Sequence, residues 1–204
     1  MKPKPLLTLV IAVVAAGSAW SQPGTASEKQ QAQVVDLPLA INAVLADFPN
    51  NLRHISGELV LAQGEFEDYA SLVVLPGATA CTVTRWHSWD DTTASWQAKM
   101  YSTDDFAAAT SEYHALFRQL QQCYVRLVDG SIVNLAGDWE PPKNGVPFAT
   151  STLRLVTGDQ RYKDVEVEVQ LVYLLADWAV NITIVSKRPD DQVGSKAATD
   201  NEDQ

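Results

Sequence analysis

The chain alternates between apolar and polar residues along much of its length, most regularly at residues 165–173 (VEVEVQLVY). Such alternation predicts a β-strand with one face in the core and the other in water. The inward set is Val165, Val167, Val169, Leu171 and Tyr173, and the outward set is Glu166, Glu168 and Gln170. Shorter stretches with the same character are separated by turn residues such as Pro76-Gly77, Asp129-Gly130 and Gly158-Asp159. They predict further strands at residues 55–62, 69–75, 81–87, 94–101, 150–157 and 178–186, and residues 124–128 and 132–135 are short candidates for strands.

Two segments show helical spacing instead. The first follows Asp36, which suits the N-cap position, and Pro38, which suits a first turn; its apolar face is Leu37, Ile41, Val44, Leu45 and Phe48. The second spans about 103–122. Ser102 with Asp105 three positions later resembles a capping box, so we expect this helix to begin at Ser102 or Thr103. Its apolar face is Phe106, Ala109, Tyr113, Leu116, Phe117 and Leu120.

Strands with one polar face, together with two amphipathic helices, predict an α+β fold. We expect a mostly antiparallel sheet of about six to eight strands with both helices packed on it. A β-sandwich is the alternative, and the helix at 103–122 argues against it. The order of one helix followed by several strands occurs twice along the chain. This order suggests a duplication, although no residue-level repeat supports it.

The ends of the chain define its organisation. Residues 1–21 combine Lys2 and Lys4 with a short apolar run and the small residues Ala19 and Ser21, the pattern of a signal peptide cleaved before Gln22. The run is shorter than a membrane span requires. Residues 22–35 and the acidic tail 187–204 are polar and predicted to be flexible, which leaves one domain at 36–186. We therefore expect an exported protein, periplasmic or extracellular, with no membrane span after cleavage.

The acidic composition limits the possible partners. The net charge is −10, and loss of Lys2 and Lys4 on cleavage would make it −12. Such a surface repels phosphate backbones, so nucleic-acid binding is not expected. The sequence contains no Gly-rich phosphate loop, GxSxG elbow or HExxH motif, and we predict no cofactor, metal site or catalytic residue.

The only two cysteines are Cys81 and Cys123. In an exported chain they predict one disulfide, which would fasten the second helix to the sheet and stabilise the fold by roughly 4 kcal/mol on the chain-entropy model. A thiol pair for metal or redox work is the alternative, but the spacing does not favour it because CxxC is absent.

Candidate chemistry gathers at the turn after the third predicted strand. His87 with Asp90 or Asp91 would suit a metal ligand set or a general base, and Trp86 and Trp89 would frame a pocket. Trp139, in a long loop, is a further candidate for stacking on a ligand. The structural interpretation is that these are ordinary solvent-exposed turn residues and tryptophans buried in the core. The candidate binding residues are Trp86, His87, Trp89, Asp90, Asp91 and Trp139.

Two functional hypotheses follow. The favoured one is a non-enzymatic binding or accessory protein that contacts another protein or a component of the cell envelope. The alternative is a small hydrolase or metal-dependent enzyme centred on the turn from Trp86 to Asp91. The sequence does not define the partner or the oligomeric state.

Overall fold

The computed structural model describes residues 33–34, 36–87, 92–127 and 129–187. The predicted signal peptide, most of the 22–35 stretch and the tail beyond Lys187 lie outside these ranges. Two α-helices are described, α1 at Leu37–Asp47 and α2 at Phe106–Gln121, together with short 3-10 helices at Phe48–Asn50 and Gln160–Tyr162. The strands are β1 Gln33–Val34, β2 Ser56–Gln63, β3 Phe66–Ser71, β4 Val73–Val74, β5 Ala80–His87, β6 Thr92–Thr103, β7 Tyr124–Arg126, β8 Ile132–Gly137, β9 Phe148–Leu155, β10 Val165–Leu174 and β11 Asp177–Ser186.

Nine of these strands form one sheet in the order β2-β3-β5-β6-β11-β10-β9-β8-β7, and all neighbours are antiparallel. β1 and β4 form a separate parallel pair. The sheet consists of two meanders, each preceded by a helix. Their last strands, β6 and β11, pair with each other and join the two blocks at the centre of the sheet.

The α+β prediction is confirmed, but the expected number of strands is too low. The main sheet has nine strands, not six to eight. The difference arises at one edge, where the short segments Tyr124–Arg126 and Ile132–Gly137 pair with each other and β8 then pairs with β9. Segments this short carry little signal of their own, and the neighbouring strand completes them.

Helix α1 begins as its sequence predicts. Asp36 is the N-cap, and its carboxylate accepts a hydrogen bond from the backbone N–H of Leu37 at 3.0 Å. At the other end, Asp47 is buried and accepts hydrogen bonds from the backbone N–H groups of His54 at 2.9 Å and Ile55 at 3.2 Å. These bonds satisfy a buried carboxylate and fix the turn into β2.

Helix α2 begins later than predicted. Its N-cap is Asp105, whose side chain accepts from the backbone N–H of Ala107 at 2.8 Å, and the helix starts at Phe106. Ser102 and Thr103 are instead the last residues of β6, where they pair with Ala179 and Trp178 of β11. The predicted capping box is therefore wrong, because pairing with a distant strand holds Ser102 in the extended conformation.

One face of the sheet and the helices enclose the core. α2 packs against β6, β8, β10 and β11, and α1 packs against β4 and β7. Side chains from the alternate positions of β10, Val165 to Leu171, are buried here as predicted, while Tyr173 at the strand end stays partly exposed. Two hydrogen bonds pair polar groups inside this core: the Trp96 indole N–H donates to Ser71 Oγ at 2.9 Å, and Tyr113 shares a 2.7 Å hydrogen bond with Ser151.

The opposite face, called the open face below, carries the other set of alternate side chains. Glu166 and Glu168 point to this face as predicted, yet each is only 5% exposed. Lys187 Nζ lies 3.0 Å from Glu166 and 2.5 Å from Glu168, and Arg154 also pairs with Glu166. The expectation that these carboxylates face water is wrong, because long basic side chains lie over them.

The predicted disulfide is wrong, since Cys81 and Cys123 are both free thiols. Cys81 lies on β5, in the first meander. Cys123 follows α2, which packs against β6 and the strands of the second meander, and its thiol is hydrogen-bonded to the Gln119 carbonyl at 3.4 Å. The helix is thus held to the sheet by its apolar face and does not need a covalent link to β5.

Neither of the described helices is long and apolar enough to cross a membrane.

Candidate functional site

The predicted turn site is only partly described, and its described residues point to different faces. Trp89, Asp90 and Asp91 lie outside the described residues. Trp86 and His87 are consecutive in β5, so their side chains leave opposite faces of the sheet. The Trp86 side chain is on the open face, is 52% exposed and packs against Phe66 with ring centroids 5.3 Å apart.

His87 belongs to a small polar cluster on the other face. Its Nε2 lies 3.0 Å from Glu67 Oε2, and the Tyr69 hydroxyl donates to the same oxygen at 2.6 Å. The hydrogen bonds from Tyr69 and then from His87 lower the pKa of Glu67. Arg85 stacks over the Tyr69 ring at 4.9 Å. The histidine side chain is 44% exposed, so this cluster lies at the surface.

Trp139 does not join the turn residues. Its ring packs on α2, with centroids 4.6 Å from Tyr113, 4.6 Å from His114 and 5.7 Å from Phe117. It is partly buried against the core. Trp139 therefore packs against α2 at the edge of the core, and the structure separates it from the open-face indole of Trp86.

Within the described ranges, no three His, Cys, Asp or Glu side chains lie together as a metal ion would require.

A concave site lies elsewhere, on the open face. A groove of about 580 Å³ runs over β6, β11 and β10, at the end of the sheet near the β10–β11 turn. Because all three strands have a neighbour on each side, their backbone groups pair within the sheet ladder except at a register shift between Val180 and Asn181, and side chains form the groove floor. The described hydrogen-bonding side chains that line it are Thr79, Gln97, Lys99, Tyr101, Ser102, Gln170, Asp177 and Asn181.

Strand register arranges the lining into rows. Lys99, Asn181 and Gln170 are direct cross-strand partners, and we call them the polar row. One step nearer the turn, Ser102, Ala179 and Val172 are partners in the same way. Neighbouring strands lie about 4.8 Å apart, so each row presents its side chains at that spacing. An amide-rich strip thus runs beside a more apolar strip, where Tyr101 and Leu174 extend the lining.

Asn181 occupies the middle of the polar row and is only 7% exposed. Among the described residues that are buried and polar, it is the one whose side chain makes no hydrogen bond to the protein. The neighbours on the same face differ: Thr183 accepts from Gln97 at 3.5 Å, and Glu168 accepts from Gln170 at 2.8 Å. The carboxamide atoms of Asn181 are nevertheless not sealed off, since they line the groove.

The charges in the groove balance. Among the described residues that line it, Lys99 and Asp177 are the two charged groups, and neither makes an ion pair with a described residue. The protein as a whole is strongly acidic, with a net charge of −10. The groove is therefore a locally neutral region on an anionic molecule.

The groove ends at the β10–β11 turn, which is backbone-strained. Leu175 and Ala176 form the two-residue turn with φ angles of 56° and 117°. Such turns favour Asn-Gly, because side chains with a Cβ adopt positive φ at a cost. Leu175 is fully exposed at this tip, next to the exposed Leu174. The turn thus places apolar side chains at the mouth of the groove, although its two residues adopt strained backbone conformations.

A second, smaller cleft of about 260 Å³ lies between the start of α1, the loop before β5 and α2. Its lining includes Asp36, Met100 and Glu112. Neither cleft includes His87.

Sequence reasoning missed the groove because its residues come from strands about eighty positions apart. Alternation does place Gln97 and Lys99 opposite the buried Trp96 and Ala98, and Asn181 opposite the buried Ile182. What it does not indicate is that β6 and β11 are neighbours. The signal that was available is a polar amide between apolar residues in the last strand, where a buried partner or a ligand must satisfy it.

No protein-family model matches the sequence, and a search of curated proteins found no match either.

Proposed function

We propose that this chain is an exported, non-enzymatic binding or accessory protein that contacts a protein or a component of the cell envelope through the open face of its sheet. The observation that carries the proposal is the groove over β6, β11 and β10, with the buried, unbonded Asn181 in its floor. Its carboxamide lines the groove and makes no hydrogen bond to a described residue, so both its donor and its acceptor are available to a ligand.

Export is part of the proposal and rests on the signal-like residues 1–21. Expression of the full chain in a bacterium is expected to release a mature protein that begins at Gln22. The intact mass of the exported fraction measures this directly. A full-length mass in that fraction, or a product confined to the cytoplasm, would contradict export.

Affinity capture from an envelope extract tests the binding surface. We expect the mature protein to retain a specific partner, and Lys99→Glu to lose it because the substitution reverses the positive charge that Lys99 contributes to the groove. Lys163→Glu is the matched control, since Lys163 is exposed in a turn outside the groove. Equal recovery of the same partner by both variants would exclude the groove as the contact.

The enzymatic alternative, a hydrolase or metal-dependent enzyme at the turn from Trp86 to Asp91, keeps one supporting observation: His87 lies within hydrogen-bonding distance of the Glu67 carboxylate. That pair suits a general base held by a carboxylate. The exposed position of both side chains argues against it, because catalytic electrostatics are weak in contact with bulk water. Hydrolysis of p-nitrophenyl acetate by the wild type, abolished in His87→Ala, would support the enzyme; equal rates would remove it.

A further inference from the structure

We propose that the groove binds a neutral saccharide, with Asn181 as the central hydrogen-bonding residue. The inference rests on the proposed function, because it takes the open face as the binding surface, and it adds the chemical class of the ligand. The groove volume of about 580 Å³ falls within the range of small-molecule sites, roughly 300 to 1,000 Å³.

The sheet itself restricts the mode of recognition. β6 lies between β5 and β11, β11 between β6 and β10, and β10 between β11 and β9. An extended peptide binds sheets mainly by adding a strand at a free edge, where backbone groups are available. No such edge borders the groove, so its ligand is recognised by side-chain amides, hydroxyls and an aromatic ring.

The polar row supplies donors and acceptors in pairs. The carboxamides of Asn181 and Gln170 each offer a carbonyl oxygen and an NH₂ group, and Lys99 adds three N–H donors. A sugar hydroxyl both donates and accepts, so neighbouring hydroxyls on a ring suit such a mixed set. Gln170 already donates one N–H to Glu168, which leaves its carbonyl oxygen and its second N–H, whereas the side-chain amide of Asn181 makes no hydrogen bond to a described residue.

The adjacent strip supplies an apolar surface. Ala179 and Val172 lie beside the polar row, and the exposed ring of Tyr101 borders them. A pyranose has an apolar face of C–H groups and a rim of hydroxyls, which matches an aromatic ring beside amides. A lipid chain would leave the polar row without hydrogen bonds. A strongly charged ligand would meet both Lys99 and Asp177, whose opposite charges offset each other. Of these classes, the neutral sugar satisfies both strips.

The test uses the mature protein and three neutral probes: cellotetraose, maltotetraose and chitotetraose. At about 10 mM, well above a weak millimolar dissociation constant, at least one probe is expected to shift the NMR side-chain amide signals of Asn181 and Gln170. Asn134→Ala, in the exposed part of β8, should bind as the wild type does. Asn181→Ala should weaken binding by about tenfold or more, the loss expected for hydrogen bonds to a buried amide.

Stability separates a binding role of Asn181 from a structural one. Removing an unbonded buried amide should leave the midpoint of urea unfolding unchanged or higher. A binding loss together with a clear fall in that midpoint would mean that Asn181 supports the fold, and would overturn its assignment. No shift with any of the three probes would overturn the saccharide. If no probe binds but Asn181→Ala loses the partner captured from envelope extract, the saccharide is excluded and the groove remains the binding surface. If no probe binds and Asn181→Ala captures the partner as the wild type does, the groove is excluded as the binding surface.

Discussion

Three polar residues on the open face, Glu166, Glu168 and Asn181, are buried to a similar extent. They differ in the ion pairs and hydrogen bonds that their side chains make. The two carboxylates have Lys187 between them, and Arg154 adds a second cation to Glu166. Burial alone would raise the pKa of Glu166, but the hydrogen bonds from Lys187 and Arg154 outweigh it, and the pKa lies below its usual value. Buried charges are kept only with such partners, which makes the uncommitted amide of Asn181 exceptional on this face.

The lowered pKa of Glu166 makes this network sensitive to acid. Because the folded pKa is depressed, its stabilisation is present above the ordinary carboxyl pKa and is lost as pH falls through the folded value. We expect Arg154→Met to lower the free energy of unfolding by about 1 to 2 kcal/mol at pH 7, a reduced figure because Arg154 is itself exposed. The difference should be smaller at pH 3 than at pH 7, because pH 3 lies below the ordinary carboxyl pKa.

Urea unfolding of both proteins at the two pH values measures this effect. Arg126→Met is the control, since Arg126 is exposed and makes no ion pair with a described residue. An equal loss of stability at pH 3 and pH 7 would show that the Arg154 side chain acts by packing alone.

The free thiols carry a second prediction at this scale. Burial raises the pKa of Cys81, and it raises the pKa of Cys123 to about 11, with the nearby charge of Asp36 adding to the effect. Both groups are therefore protonated and unreactive at neutral pH. In the native protein, we expect alkylation to be slow at pH 7 and to accelerate toward pH 11.

Alkylation after denaturation without reductant should add two groups, and dithiothreitol should not change the unfolding midpoint. A protein that takes up no label until it is reduced would contain a disulfide, contrary to the structure.

At the scale of single elements, the two helices show what sequence can predict. Asp36 caps α1 as expected, because the signals for that cap are local: an Asp, a Pro and an apolar period. The start of α2 is misplaced because Ser102 and Asp105 both satisfy the local rules for a cap. The choice between them is made by β11, whose residues Ala179 and Trp178 extend β6 through Thr103. Sequence therefore predicts the elements and their faces well, and it predicts poorly which distant strands pair.

The cap assignment has a direct test. Asp105→Ala should lower the free energy of unfolding by about 1 kcal/mol, because the backbone N–H of Ala107 loses its acceptor. Ser102→Ala should change it by only a few tenths of a kcal/mol, as is usual for an exposed surface position, roughly within 0.5 kcal/mol. Thermal or urea unfolding of the two variants compares them. A larger loss of unfolding free energy for Ser102→Ala than for Asp105→Ala would show that Ser102 is the N-cap, as the capping-box pattern indicates.

At the scale of the whole molecule, the sheet has a free apolar edge at β2. Three consecutive residues there, Leu59, Val60 and Leu61, are exposed, with Val60 at 68%. Among the described strands, β2 pairs only with β3, so no described strand pairs with its outer backbone groups. Exposed apolar edges of this kind promote edge-to-edge association of protein molecules.

We therefore expect Val60→Lys to raise the temperature at which concentrated protein begins to aggregate, without raising the unfolding midpoint, because a charge at an edge opposes strand addition. Light scattering during heating measures the onset. Val156→Lys, at an exposed position after β9, is the control for added charge alone. If both variants delay aggregation equally, net charge and not the β2 edge governs it.

The central pairing of β6 with β11 has a consequence for how the chain reaches its fold. Strands within each meander pair with near neighbours in sequence, whereas this pairing joins residues as far apart as Gln97 and Thr183, separated by 86 positions. Closing so long a loop costs more entropy before any contact is gained, and it slows folding. Each half can thus form early, with its innermost strand uncovered, and union of the halves becomes the slow kinetic step. The groove, which spans that union, exists only after the last step of folding is complete.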